Sequence, residues 1–164
     1  MTEVLGILLM LLFRSFIVLL PLTIVWLSFR RLAKSHGGNT WIYALTCLFA
    51  LVTTAGLHYR DDPAFEFADA TFRPIDGGED AGNLVMSHSS VNFDKTGFAE
   101  DVNLVFPLQR FRELAAAGVI GSVADVHYSF MGAGLSPSPY EQSASQVAGL
   151  LKQDKVDAVF LTPV

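Results

Sequence analysis

Hydrophobic positions follow two regimes along this chain. From Val4 to Phe29 they run almost unbroken, VLGILLMLLFRSFIVLLPLTIVWLSF, 26 residues with one charge, Arg14, and one proline, Pro21. A helix needs about 20 apolar residues to cross the hydrocarbon core of a bilayer, so this run is long enough. It exceeds the about 7–15 apolar residues of a secretory signal and shows no small-residue cleavage site. Its basic cluster, Arg30, Arg31 and Lys34, follows the apolar run instead of preceding it. Trp26 would lie near one interface. Arg14 near mid-span would cost about 3 kcal/mol and calls for a partner, a water defect or a shifted span. A buried helix of a soluble protein is the alternative; length favours the membrane. The basic flank then predicts a cytoplasmic side, and Gly37, Gly38 and Asn39 end the helix. A second apolar stretch, Trp41 to Leu57, fits either a short second span or an interfacial helix ending in a buried strand over 50–56. There β-branched Val52, Thr53 and Thr54 favour the strand.

From Asp61 onward the pattern becomes periodic. Residues 61–82, with Pro63, Pro74, Gly77, Gly78 and Gly82, read as loop. Leu84-Val85-Met86 is a short apolar run with the character of a buried strand. PLQRFRELAAA, 107–117, predicts a helix opened by proline. Leu108, Phe111, Leu114 and Ala115 form its apolar face, Arg110, Arg112 and Glu113 face water, and Gly118 is the left-handed cap. SVADVHYSF, 122–130, predicts a strand. Ser138-Pro139-Tyr140-Glu141 has the form of a capping box, opening a helix to about Gln153 with Ala144, Val147, Ala148 and Leu151 on one face. Val156 to Leu161 is a last strand. Strands alternating with helices of 11–15 residues predict βαβ units and a parallel sheet.

Charge divides the same way. Residues 1–60 hold five basic residues against one acid, net +4; residues 61–164 hold six against fifteen, net −9. An acidic domain argues against nucleic acid, whose phosphates need clustered Lys and Arg. Cys47 is the single cysteine. It can form no internal disulfide, CxxC pair or structural zinc site, and its apolar surroundings predict an inert thiol.

A parallel sheet gathers ligands at the C-terminal ends of its strands. The four predicted strands end at 54–58, 87–90, 129–132 and 162–164, bringing His and hydroxyl groups to one edge. His127 and Ser129 share a face of their strand. Ser87-His88-Ser89 suggests a nucleophile beside a base, but neighbours on a strand point to opposite faces and no GxSxG elbow is present; loop-backbone hydrogen bonding is the plainer role. Four histidines, none at close helical spacing, carry no metal signature. Gly132-Ala133-Gly134 is too short for a phosphate loop. Asp94, Glu100 and Asp101 read as a solvated surface. No cofactor is expected.

Five runs together resemble a known family: ALVTTAGLH (50–58), DDPAFEFADATFRPI (61–75), VMSHSSVNFD (85–94), TGFAEDVNLVFPLQRFRELAAAGVIGSVADVHYSFMGAG (96–134) and VDAVFLTPV (156–164). They are similar to the selenoprotein B type subunits of the glycine, betaine, sarcosine and D-proline reductases. The likeness covers residues 50–164; residues 1–49 do not resemble that family's polar opening. It implies that Thr162-Pro163-Val164 leads directly into a selenocysteine or cysteine. Because selenocysteine is encoded by a stop codon read in context, the expectation is a chain ended at that codon. The mass of the native protein separates this from an ordinary terminator.

The resemblance also places 50–56 in the first strand of the fold, leaving one span at most. The expected architecture is therefore α/β: a partial parallel-sheet three-layer domain over 50–164, preceded by an N-terminal transmembrane helix within a segment of 1–49. The expected location is the inner or plasma membrane with the domain on its cytoplasmic side, or the cytoplasm if residues 1–49 are not translated. The resemblance implies a selenol- or thiol-dependent reductase subunit that reductively cleaves a small amine or related substrate and lacks its redox residue here. It also implies partner reductase subunits or a thiol donor. Substrate-binding candidates are His88, Ser89, Asn92, His127, Ser129 and Thr162. The other reading is a catalytically inert, membrane-anchored binding or scaffolding module.

Overall fold

A computed structural model describes residues 47–79, 81–134 and 136–164, all of which fall in one unit, 45–164. Its central strand is β1 (Leu48–Thr53), rich in the β-branched and aliphatic residues that suit a sheet buried on both sides. Side chains alternate across a strand. Phe49, Leu51 and Thr53 therefore face one side, and Leu48, Ala50 and Val52 the other.

Two short elements follow β1, β2 (Leu57–Tyr59) and β3 (Phe72–Asp76). After them come β4 (Leu84–Met86), β5 (Ser122–Val123), β6 (Val126–Phe130) and β7 (Ala158–Thr162). β7 pairs parallel with β1 from Phe49↔Ala158 to Thr53↔Thr162. On the other side of β1, β5 and then β6 pair with it in succession, also parallel. The strand expected over 122–130 is thus two strands, broken at Ala124 and Asp125. His127 bridges the break: the Leu51 amide donates to its Nδ1 at 3.1 Å in place of a ladder carbonyl. β3 lies antiparallel to β6, from Phe72↔Phe130 to Asp76↔Val126, and closes that side of the sheet. Pro74 sits inside β3, which is tolerable because an edge strand has one side free of ladder partners.

Among the described residues three α-helices accompany the strands: α1 (Thr96–Glu100), α2 (Leu108–Ala116) and α3 (Glu141–Gln153). α2 forms where its apolar spacing predicts. Gly118 (φ +68°) ends it in a Schellman motif, its amide reaching Ala115 O and that of Val119 reaching Leu114 O. Phe111 of α2 meets Phe49 and Phe160 at ring-centroid distances of 5.8 and 5.1 Å. That face of the sheet carries the main core, with Leu51, Leu57, Ile75 and Phe106 almost wholly excluded from water. α3 covers the opposite face through Val147, packed with Tyr128 and Phe130. The capping box expected before α3 does not form. Residues Ser138–Tyr140 are a 3-10 turn with no side-chain cap. Ser138 lies inside that turn, whose N-cap position is Pro137 (φ −60°, ψ −32°), and so does not occupy the flanking position from which a serine caps a helix.

The expected fold class is corrected in two respects. The sheet is mixed and curled, not parallel, because β3 runs antiparallel to β6. Leu84–Met86 does not join it but pairs antiparallel with β2 in a separate two-stranded sheet. Among the described residues no helix is long and apolar enough to cross a membrane. The longest, α3, has 13 residues, which span about 20 Å against a core of about 30 Å. The span expected at Val4–Phe29 lies outside the described residues. The membrane helix, attachment through residues 4–29 and placement at the inner or plasma membrane thus find no support among the described residues.

Candidate active site

The C-terminal ends of β1, β6 and β7 converge on one turn, Thr54-Ala55-Gly56. The Thr54 amide donates to Thr162 O (3.1 Å), and the Gly56 amide to Phe130 O (2.8 Å). The Val164 amide donates to Thr54 Oγ1 at 2.9 Å. Gly56 has φ +66°, and a Cβ there would lie 2.9 Å from the His88 amide nitrogen. Gly132, at φ +76°, leaves no room either: a Cβ would sit 2.5 Å from Thr54 Cβ. Both glycines are therefore required by close approach as well as by backbone conformation.

β2 and β4 bring a fourth segment to this edge. β2 runs away from Gly56 and β4 returns, so the Ser87 amide donates to Gly56 O at 2.9 Å. Ser89 Oγ then reaches Met131 Sδ at 3.2 Å. The segment after β4 thus arrives where a parallel strand would have delivered it, by a different route.

Of the residues singled out from sequence, His88, Ser89, Ser129 and Thr162 gather around this turn. His88 is 3% exposed. Its Nδ1 accepts from the Ser90 amide at 3.3 Å and its ring lies edge-on to Phe93 at 5.0 Å. Nδ1 being an acceptor, the neutral ring carries its proton on Nε2, which is buried without a partner among the described residues. Burial holds the His88 imidazole below its ordinary pKa, and the Lys95 charge acts in the same direction. Ser129 is fully buried and its Oγ accepts from the Leu57 amide at 2.8 Å, fixing where the chain leaves β1 for β2. Thr162 Oγ1 is buried and also without a partner among the described residues.

Asn92 and His127 stand apart. Asn92 is exposed, held by its amide on Ser90 Oγ at 3.3 Å. His127 lies inside the core against Phe106, with ring centroids 5.6 Å apart. Burial, and secondarily the Arg112 charge, push its pKa down to about 4. A neutral imidazole accepting from Leu51 is the form this core admits.

One pair escaped sequence reasoning. His58 Nε2 and Ser87 Oγ are 2.6 Å apart, and His58 Nδ1 is 2.6 Å from the Tyr59 carbonyl oxygen. A carbonyl only accepts, so Nδ1 bears a proton and Nε2 of the neutral ring accepts from the Ser87 hydroxyl. Phe65 covers the ring edge-on at 6.2 Å. The sequence signal lay in neither adjacency nor helical spacing. It lay in hairpin register: His58 pairs with Val85, and Ser87 is two residues farther along the same face. Cys47 is buried, and burial, followed by the Asp157 charge, raises its pKa. Among the described residues no group of three or more His, Cys, Asp or Glu side chains could hold a metal ion.

Comparison with known proteins bears on what this edge belongs to. Residues 46–164 match the family model described as Glycine/sarcosine/betaine reductase selenoprotein B. The D-proline reductase subunit gamma of Acetoanaerobium sticklandii is 36% identical over 115 residues. The betaine reductase complex component B subunit beta of Peptoclostridium acidaminophilum is 31% identical over 117. The glycine reductase complex component B subunit gamma of Symbiobacterium thermophilum is 39% identical over 119. Each match covers 69% of this chain, but only 47% of the first relative and 27% of the other two. No solved structure matches. With the family model covering most of the chain and all of the described fold, the chain belongs to the glycine/sarcosine/betaine reductase selenoprotein B family.

Proposed function

We propose that this chain is the N-terminal part of a selenol- or thiol-dependent reductase subunit whose reactive selenocysteine or cysteine directly follows Val164. The observation that carries this reading is the anchoring of Val164 on Thr54. The next residue would leave β7 at the turn that β1, β6 and the Ser87–Ser89 segment already share, the position where sheets of this kind bind ligands. His88 Nε2 and Thr162 Oγ1, each buried without a partner among the described residues, are the groups offered to substrate there. Ser89 shapes the wall against Met131, and Asn92 lies on the exposed loop beyond it. Ser129 and His127 serve the site as supports, holding the β1–β2 bend and the β1–β6 junction.

The chemistry is a two-electron reduction. The chalcogenolate attacks the carbon bearing the amine; a carbon–chalcogen bond forms as the carbon–nitrogen bond breaks, and the amine leaves with a proton. A thiol of a partner then attacks the chalcogen, and the carbon keeps the electron pair and takes a proton. A second thiol releases the chalcogenolate, so one dithiol becomes a disulfide. The relatives' names, which call them complex components or subunits, support partner subunits; the dithiol would come from one of these or from a separate thiol donor. The test is an assay of the full-length protein with its partner subunits and dithiol on glycine, sarcosine, betaine and D-proline. Reductive cleavage of the carbon–nitrogen bond of one of them is expected, releasing an amine from the open-chain substrates and opening the ring of D-proline, with loss of turnover when the residue after Val164 is replaced by alanine. Absence of turnover on all four would refute the reading.

A further inference from the structure

The Ser87–His58 pair has no part in the chemistry above, yet it has the geometry of an acid–base device. Its hydrogen bond is 2.6 Å long, its histidine is 4% exposed, and its ring is oriented by a carbonyl on the far nitrogen. Such a chain has two proton settings. With His58 neutral, the Ser87 hydroxyl donates to Nε2. With His58 protonated, Nε2 donates to Ser87 Oγ, and the hydroxyl proton turns outward. Position completes the case. Ser87 is bonded through its own amide to Gly56, the turn on which β1, β6 and β7 end.

We infer that Ser87 and His58 form the proton relay of this edge, with Ser87 facing the reacting group and His58 acting through it as a positioning and proton-storing residue. Ser87 gives its hydroxyl proton to His58 Nε2 and takes in exchange the proton of the selenol or thiol. The products are a chalcogenolate and an imidazolium held by Tyr59 O. When the amine departs, the proton returns through Ser87 to its nitrogen. No oxidant or further reactant enters, and the pair ends as it began. This role rests on the placement of the nucleophile proposed above.

The test is the pH profile of iodoacetamide alkylation of the full-length protein carrying cysteine after Val164. His58→Gln keeps an acceptor for Ser87 but cannot store a proton; Ser87→Ala removes the link. Both are expected to slow alkylation at pH 7 at least tenfold and to converge with the parent rate near pH 10, where thiolate forms unaided. Ser87→Thr, which retains the hydroxyl, should keep the parent profile, and it decides the matter if Ser87→Ala fails to fold. Superimposable profiles for the parent and a folded His58→Gln protein would overturn the relay. A relay-dependent profile without turnover of any amine would refute the reductase reading and leave the relay standing.

Discussion

The two faces of the central sheet are built from the same strands and differ in almost everything else. The face under α2 is closed. Leu51, Leu57, Ile75 and Phe106 retain at most 1% of their surface, and Phe111 packs at a tilt against Phe49 and Phe160. The face under α3 is thin: Val147 is the one buried residue of that helix. On the edge strand β7, Val159 and Leu161 stand 41% and 66% exposed. The site's scaffold hangs from the closed face. Thr53 Oγ1 donates to Val105 O at 2.9 Å, and Ser129 Oγ holds the Leu57 amide. Site geometry and the larger core are thus concentrated on one side of a sheet whose other side carries the smaller cluster of Tyr128, Phe130 and Val147.

Removing Phe106 should expose this asymmetry most strongly. Phe106→Ala leaves a cavity in a core with little freedom to collapse and should cost about 4 kcal/mol, measured by denaturant unfolding. Acid acts next, on the same face. His127 takes up a proton at about pH 4 when folded and near 6.5 when unfolded. Between those values the unfolded state binds more protons, so stability falls as pH drops from about 6.5 to about 4 and the loss levels off below. That gap of roughly 2.5 units corresponds to about 3 kcal/mol, and unfolding midpoints across that range should lose most of the slope in His127→Gln, the rest coming from His88, whose pKa burial also lowers. Val147→Ala on the thin face should cost only about 1 kcal/mol, because α3 can settle onto the space. A loss as large as that of Phe106→Ala would abolish the contrast. Leu161→Ser should change stability by no more than about 0.5 kcal/mol; a larger loss would mean that this exposed position is covered in solution.

Much of this architecture was legible from local pattern. The apolar spacing of α2, its glycine cap and the strands β1, β6 and β7 follow from residues within a few positions of one another. Ser129 and Thr162 lie at the edge where their own strands end, whereas His88 and Ser89 reach it through the β2–β4 hairpin, which the strand ends did not announce. β3 was not, because Pro74 and the surrounding breakers give its segment the composition of a loop; its strand exists because β6 offers an edge. β4 was visible as a strand, but its three residues could not announce an antiparallel partner. His127 looked like a site residue because alternation gave it the same face as Ser129. Only the broken β5–β6 ladder made it the acceptor for Leu51.

What the sequence determined by itself is which residues alternate, which face of each helix is apolar and where chains must turn, since these depend on sterics and hydration of near neighbours. The tertiary structure decided strand direction, sheet membership and the partners of buried polar groups. His58 meets Ser87 across 29 positions and Leu51 meets His127 across 76. Such pairings arise because buried donors and acceptors must be satisfied by whatever the completed fold brings within reach, and no local pattern encodes that.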